Sequence, residues 1–186
     1  MRIISGTKRG KKLKEPDNYD IRPTTDMVKE SMFNIVQFDI EGRRVLDLFA
    51  GSGSLAFEAL SRGAPEAVFV EKDPKAAACL ARNAAALDAE SRCRILAEDV
   101  LRITARRPAA PFQVIFIDPP YGESLFSPTL KNILRQNWLA ENGFLIAEVE
   151  KGLRLNAEKQ PGLSLISDDL YGQTRVILWT SSHDQE

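Results

Sequence analysis

Four apolar segments, each with a carboxylate at or near its end, constrain this chain more than anything else in it. They are "VLDLFA" (45–50), "AVFVEKD" (67–73), "RILAEDV" (94–100) and "VIFIDPPY" (114–121). Runs of this length, apolar on both parities, are strands buried on both faces, as in the middle of a parallel sheet. Between them lie helix-like stretches near 53–62, 74–87, 99–106 and 124–136. With strands near 44–49, 67–71, 93–97, 113–118 and 143–149, the order predicts a parallel, doubly wound α/β sheet covered on both faces. The ending "LSLISDDLYGQTRVILWT" reads as two strands turning at Tyr171-Gly172, so an antiparallel hairpin closes the sheet. In such a sheet ligands bind outside the C-terminal strand ends, where the carboxylates stand.

The segments before the first strand differ. "RIISGTKRGKKL" reads as a small basic hairpin or arm, "PDNYDIRP" as a turn-rich linker, and "TTDMVKESMFNIVQF" as a helix. Thr24 or Thr25 can cap that helix, and Val28, Met32, Ile35 and Val36 are expected on its buried face. At 186 residues the chain is expected to be one domain, with arm and linker over 1–21 and the core over 22–186. No run reaches the ~18 apolar residues of a membrane span, and the N-terminus lacks a signal-peptide core. The expectation is a cytoplasmic protein and a monomer.

Composition narrows the chemistry. His183, the one histidine, lies in the polar tail, which disfavours a histidine-based triad or a zinc site with Cys79 and Cys93, and no metal is expected. The cysteines read as reduced core residues. Net charge is −1, yet the first 14 residues carry six Lys or Arg and no acid, which leaves −7 for the remainder. Such an arm suits a polyanion; it equally suits a solvated, charge-protected edge.

"VLDLFAGSGSLAFEAL" is a strand, glycine-rich turn and helix. Gly51, Gly53 and Ala56 satisfy G-x-G-x-x-[GA], and Glu71 follows Gly53 by 18 residues, so a dinucleotide site must be weighed. Asp47 opposes that reading, because a carboxylate four residues before Gly51 repels a pyrophosphate and favours a cationic ligand. Glu71 is placed to accept from ribose hydroxyls and Asp99 from an adenine amino group. Together with Asp47 they outline S-adenosylmethionine (AdoMet). Alternatively, each acid caps the next helix or turn, a reading that suits Asp99 better than Asp47.

"DPPY" adds the second half. Pro119 and Pro120 cannot continue the strand, so the backbone turns and leaves carbonyl acceptors beside Asp118. Tyr121 offers a stacking face worth roughly 1–3 kcal/mol for a nucleobase. Acceptors beside a stacking ring suit an exocyclic amino group on an aromatic base, with transfer achieved by positioning.

In order and spacing, "MRIISGTKRGKKL", "RPTTDMVKESMFNI", "VLDLFAGSGSLAFEALSRGA", "VEKDP" and "DPPY" resemble the RsmD family of bacterial 16S ribosomal RNA (guanine-N2)-methyltransferases over nearly the whole chain. The resemblance implies a Rossmann-like class I methyltransferase with a seven-stranded sheet. It implies AdoMet-dependent methylation of one guanine N2 in 16S rRNA, on a small-subunit particle. By this analogy Asp47, Gly51 and Gly53 hold the methionine part of AdoMet, Glu71 the ribose, and Asp99 with Val100 the adenine. Thr24, Phe49, Lys72 and Asp118 join the cofactor contacts, and Arg22 to Thr25 cover the pocket. Asp118, Pro119, Pro120 and Tyr121 would hold the target base, while Arg2, Lys8, Arg9, Lys11, Lys12 and Arg22 would meet RNA. Rival readings are an adenine-N6 DNA or RNA methyltransferase, which shares "DPPY" but usually carries a larger recognition region, and a glutamine-N5 protein methyltransferase, where asparagine would replace Asp118. A third is a non-catalytic AdoMet- or RNA-binding assembly factor.

Overall fold

A computed structural model describes residues 1–17 and 25–182. Arg22, Thr24 and His183, singled out from sequence, lie outside the described residues.

Seven strands form one sheet: β1 (Val45–Leu48), β2 (Ala67–Val70), β3 (Cys93–Leu96), β4 (Phe112–Ile117), β5 (Leu139–Glu150), β6 (Leu163–Tyr171) and β7 (Thr174–Ser181). Their spatial order is β3-β2-β1-β4-β5-β7-β6; β7 alone runs against both its neighbours. The five N-terminal strands are parallel. The chain builds outward from β1 to β3, then crosses back to β4, which makes β1 and β4 the topological switch point. The expected hairpin joins β6 to β7, with its two-residue turn at Gly172 and Gln173, one residue later than expected, and Gly172 at φ 62°. The fifth strand starts at Leu139, earlier than expected, because a register shift lets Leu139 pair with Phe112 before the ladder resumes at Val114 and Phe144.

Alternation along the strands divides the core in two. Val45, Phe69, Phe116, Ile146 and Leu178 face one side, covered by α1 (Asp26–Val36), α2 (Ser54–Ser61) and α3 (Pro74–Ala86). Leu48, Val70, Ile117, Ala147 and Trp179 face the other, covered by α4 (Val100–Thr104) and α5 (Phe126–Arg135). Thr25 caps α1 by accepting from the Val28 N–H. The buried face of α1 consists of Val28, Lys29, Met32, Phe33 and Val36. Ile35 is 42% exposed, against the expectation from periodicity. At 100° per residue the buried arc runs from Val28 round to Phe33, and Ile35 falls outside it. The arc is centred near Val36 and includes Lys29, which a hydrophobic pattern assigns to solvent.

Lys29 is fully buried and pairs with the equally buried Glu58 of α2 at 3.2 Å. Burial lowers its pKa, and Glu58 counteracts the shift. Its Nζ also donates to the Arg2 carbonyl (2.7 Å) and to Ser54 Oγ (3.1 Å). Glu58 accepts the backbone N–H groups of Ile4 (2.8 Å) and Ser5 (3.1 Å) and pairs with Arg62 at 2.9 Å. The basic N-terminal segment is thus a hairpin docked on the body. Arg2 bridges Lys12 within it, and Ile3 and Leu13 enter the core. At its far end Asn83 of α3 accepts from the Lys14 N–H and donates to the Lys14 carbonyl. Among the described residues no helix is long and apolar enough to cross a membrane.

Candidate active site

A cavity of about 780 Å³ opens at the C-terminal ends of β1, β2, β4 and β5. Asp47, Phe49, Gly51, Glu71, Lys72, Asp99, Val100 and the whole of Asp118 to Tyr121 line it. The four strand-end acids named from sequence therefore meet in one space. Among the expected cofactor residues within the described chain, Gly53 does not line the cavity.

The glycine-rich turn explains why. After β1 the backbone takes left-handed conformations at Phe49 (φ 64°), Gly51 (φ 57°) and Gly53 (φ 80°). For Phe49 this costs about 1–2 kcal/mol, a strain found where a side chain must be aimed. A Cβ on Gly53 would meet the Phe57 ring at 2.5 Å and Leu80 at 2.7 Å. Gly53 thus serves the close packing of α2 against α3, and Gly51 is the glycine beside the cavity.

Each acid also has a structural duty. Glu71 accepts from the Gly51 N–H (2.9 Å) and the Asp73 N–H (3.1 Å), joining the glycine turn to the turn after β2. Asp47 is buried and accepts from the Ala56 N–H of α2 at 3.3 Å. Asp99 caps α4 by accepting from the Arg102 N–H at 3.1 Å. The capping reading and the ligand reading are compatible, because a carboxylate offers about four acceptor positions.

Eight carboxylates line the cavity, and Lys72 is the one side-chain cation among the described lining residues. Burial raises the pKa of Asp47 well above its ordinary value, and the charge of Glu71 adds to it. Burial likewise raises Asp118, followed by the charges of Glu148 and Asp47. A pyrophosphate entering this field would be repelled, whereas an ammonium and a sulfonium would relieve it. The residues present therefore fit AdoMet and disfavour a dinucleotide.

Pro119 is buried, Pro120 exposed and Tyr121 half-buried. The Tyr121 hydroxyl lies 2.9 Å from Thr174 Oγ1 on β7, and the Gly122 N–H donates to Glu150 of β5 at 3.1 Å. These contacts clamp the turn to two strands distant in sequence.

Several lining residues escaped the sequence reading. Glu148, on β5, is buried and faces the cavity beside Asp118. The signal that singled out the other acids, a carboxylate at the end of an apolar strand, is present in "FLIAEVE" and could have found it. Met1, Glu15 and Pro16 bring the ends of the basic hairpin to the cavity rim, which no local pattern announces.

Residues 1–180 match the family described as "Conserved hypothetical protein 95". The chain is 40% identical over 182 residues to the protein YlbH of Bacillus subtilis, covering 96% of this chain and 98% of that one. It is also 40% identical over 156 residues to the ribosomal RNA small subunit methyltransferase D of Escherichia coli, covering 82% of this chain and 77% of that one. The solved structure of yhhF from Escherichia coli superposes with a TM-score of 0.87 at 33% identity, over 99% of both chains.

The chain belongs to this family. Relatives at this level of identity are named small-subunit methyltransferase D, which makes the chain a methyltransferase, and AdoMet, the group that fits the acid-lined cavity, is its methyl donor. The family's class I methyltransferase fold accounts for the strand order and for the cavity at its switch point.

Proposed function

We propose that this protein methylates the exocyclic N2 of one guanine in 16S rRNA, within the small ribosomal subunit or an assembly intermediate. The observation that carries the reading is Asp118. It lies across the switch point from Asp47, at the head of a rigid Pro-Pro turn clamped by Tyr121 and Gly122.

Bound AdoMet supplies an electrophilic methyl group on a sulfonium. Asp47 and the Gly51 backbone are assigned its amino-acid part, Glu71 the ribose, and Asp99 with Val100 the adenine; Phe49 and Lys72 complete that half. The guanine amine is a weak nucleophile because its lone pair is delocalised into the ring. Asp118 and the carbonyls of the Pro119-Pro120 turn accept its protons, and the Tyr121 ring stacks on the base. With the amine held there, transfer to the methyl carbon would leave the carbon–sulfur bond pair on sulfur, and Asp118 would take the N2 proton that is released. Burial and the neighbouring charges raise the Asp118 pKa, which makes it a better proton acceptor than an exposed aspartate. Positioning does the rest.

The hairpin supports an RNA substrate. Arg9, Lys11 and Lys12 are exposed and Lys8 half-exposed, while Arg2 is held by Asp26 at 3.0 Å. Its ends frame the cavity, so phosphate contacts made there are registered against the target base.

The test is transfer of labelled methyl from AdoMet to unmodified small subunits, naked 16S rRNA and DNA, with the product mapped to the atom. Label on guanine N2 in the small subunit is expected. Asp118→Ala is expected to lower turnover by about 10²- to 10⁴-fold while AdoMet still binds. Unchanged turnover would remove Asp118 from the chemistry.

A further inference from the structure

We propose that Glu148 reads the guanine N1–H, so that β5 supplies the residue that selects guanine among bases carrying an amino group. The inference rests on the guanine reading above and adds to it the group that recognises the ring beside the reacting nitrogen.

β4 and β5 are parallel, and Ile117 stands opposite Ala147. Asp118 and Glu148 therefore follow at one level on adjacent strand ends, about 4.8 Å apart in the sheet. Phe116 and Ile146 belong to the same core layer, so two residues later both acids return to that face. Asp47 and Glu71 share it, being two residues beyond Val45 and Phe69. The strand order places these acids in the row Glu71, Asp47, Asp118, Glu148. The cofactor half of the row ends at Asp47 and the target nitrogen is assigned to Asp118. Glu148 then stands one strand further from the cofactor, on the side where the rest of the base must lie. It is 6% exposed and lines the cavity. Its charge is also felt by Asp118, whose pKa it raises.

The chemistry of the edge decides the assignment. Guanine presents N2–H₂ and N1–H side by side, two donors in a row. Adenine presents a donor and then a bare acceptor at N1. Two carboxylates side by side are acceptor next to acceptor, which complements guanine and opposes a bare N1. A site built around a buried polar partner rejects the ligand lacking it more strongly than it rewards the one that has it.

2-Aminopurine provides the test, since it keeps the N2 amine but has an unprotonated N1. RNA carrying guanine or 2-aminopurine at the target position is presented, in the small subunit, to wild-type protein, Glu148→Gln and Glu148→Asp, and kcat/KM is measured for each. Wild type is expected to favour guanine by at least about 100-fold. Glu148→Gln offers an amide N–H to the bare N1 and should shrink that preference at least tenfold, while Glu148→Asp keeps it. AdoMet affinity, measured by calorimetry, should change less than about twofold in both variants. Equal losses on both bases in Glu148→Gln, or wild-type protein that uses 2-aminopurine as well as guanine, overturn the role of Glu148. Methyl mapped by the wild type to an atom other than guanine N2 overturns the guanine reading itself, and the two failures are distinct.

Discussion

Glu71 illustrates how one residue carries two duties. Its carboxylate ties Gly51 to the turn after β2, and the same group is assigned the ribose hydroxyls. Glu71→Ala is expected to raise the AdoMet dissociation constant by about 10- to 100-fold, the effect of losing hydrogen bonds to a charged acceptor. Calorimetric titration checks this, and an unaltered affinity would reject the ribose assignment. From sequence Glu71 was legible as an acid at a strand end. Its hold on Gly51 was not, because 20 residues separate them and only the parallel pairing of β1 with β2 joins their ends. Gly53 shows the converse. Its place in the glycine pattern suggested a ligand approach, and its packing against Phe57 and Leu80 shows a role in seating α2.

At the scale of elements, the basic hairpin is the piece whose character the structure changed most. From sequence it read as a hairpin or arm; it is a hairpin seated on α2 and α3 by backbone contacts to Glu58, Ser61 and Asn83. Gly6 makes that seat: its φ is +87°, and a Cβ there would stand 1.9 Å from the Ser61 carbonyl oxygen. Gly6→Ala therefore cannot keep both the left-handed turn and the contact with α2. Undocking of the hairpin is expected, read as faster proteolysis after Lys8 or Arg9 and at least tenfold weaker binding to the small subunit. Native protease resistance in this variant would show that the seat tolerates displacement. The buried Lys29–Glu58 pair beneath it could not be read from periodicity, which treats lysine and glutamate as outward-facing.

For the whole molecule, the acid-lined cavity sets a pH dependence. Asp47 and Asp118 have folded-state pKa values raised above the ordinary 3.8, so folding favours their protonated forms. Their contribution to stability is full below 3.8 and is lost as pH rises through the raised values. Asp168, held low by Arg175, contributes with the opposite sign: its stabilisation is present above 3.8 and lost as pH falls through its lowered value. The clean measurement is a difference. In urea unfolding without cofactor, Asp118→Asn should gain stability relative to wild type as pH rises from about 4 towards 8. A difference independent of pH would show that Asp118 is not held in a carboxylate-rich floor.

Sequence alone determined the layers and the places to look. Apolar runs on both parities required a sheet covered on two faces, and strand-end acids with "DPPY" marked where a cationic cofactor and a planar amine could meet. These signals are local, since each strand and each turn is written in consecutive residues. Tertiary structure decided which ends are neighbours. The order β2-β1-β4-β5 brings positions 71, 47, 118 and 148 into one row, although the chain separates them by up to about a hundred residues. It also decided that the N-terminal hairpin closes one side of that row, because buried partners on α1, α2 and α3 hold its backbone there. Contacts between distant segments follow from topology and packing, and no window of sequence contains them.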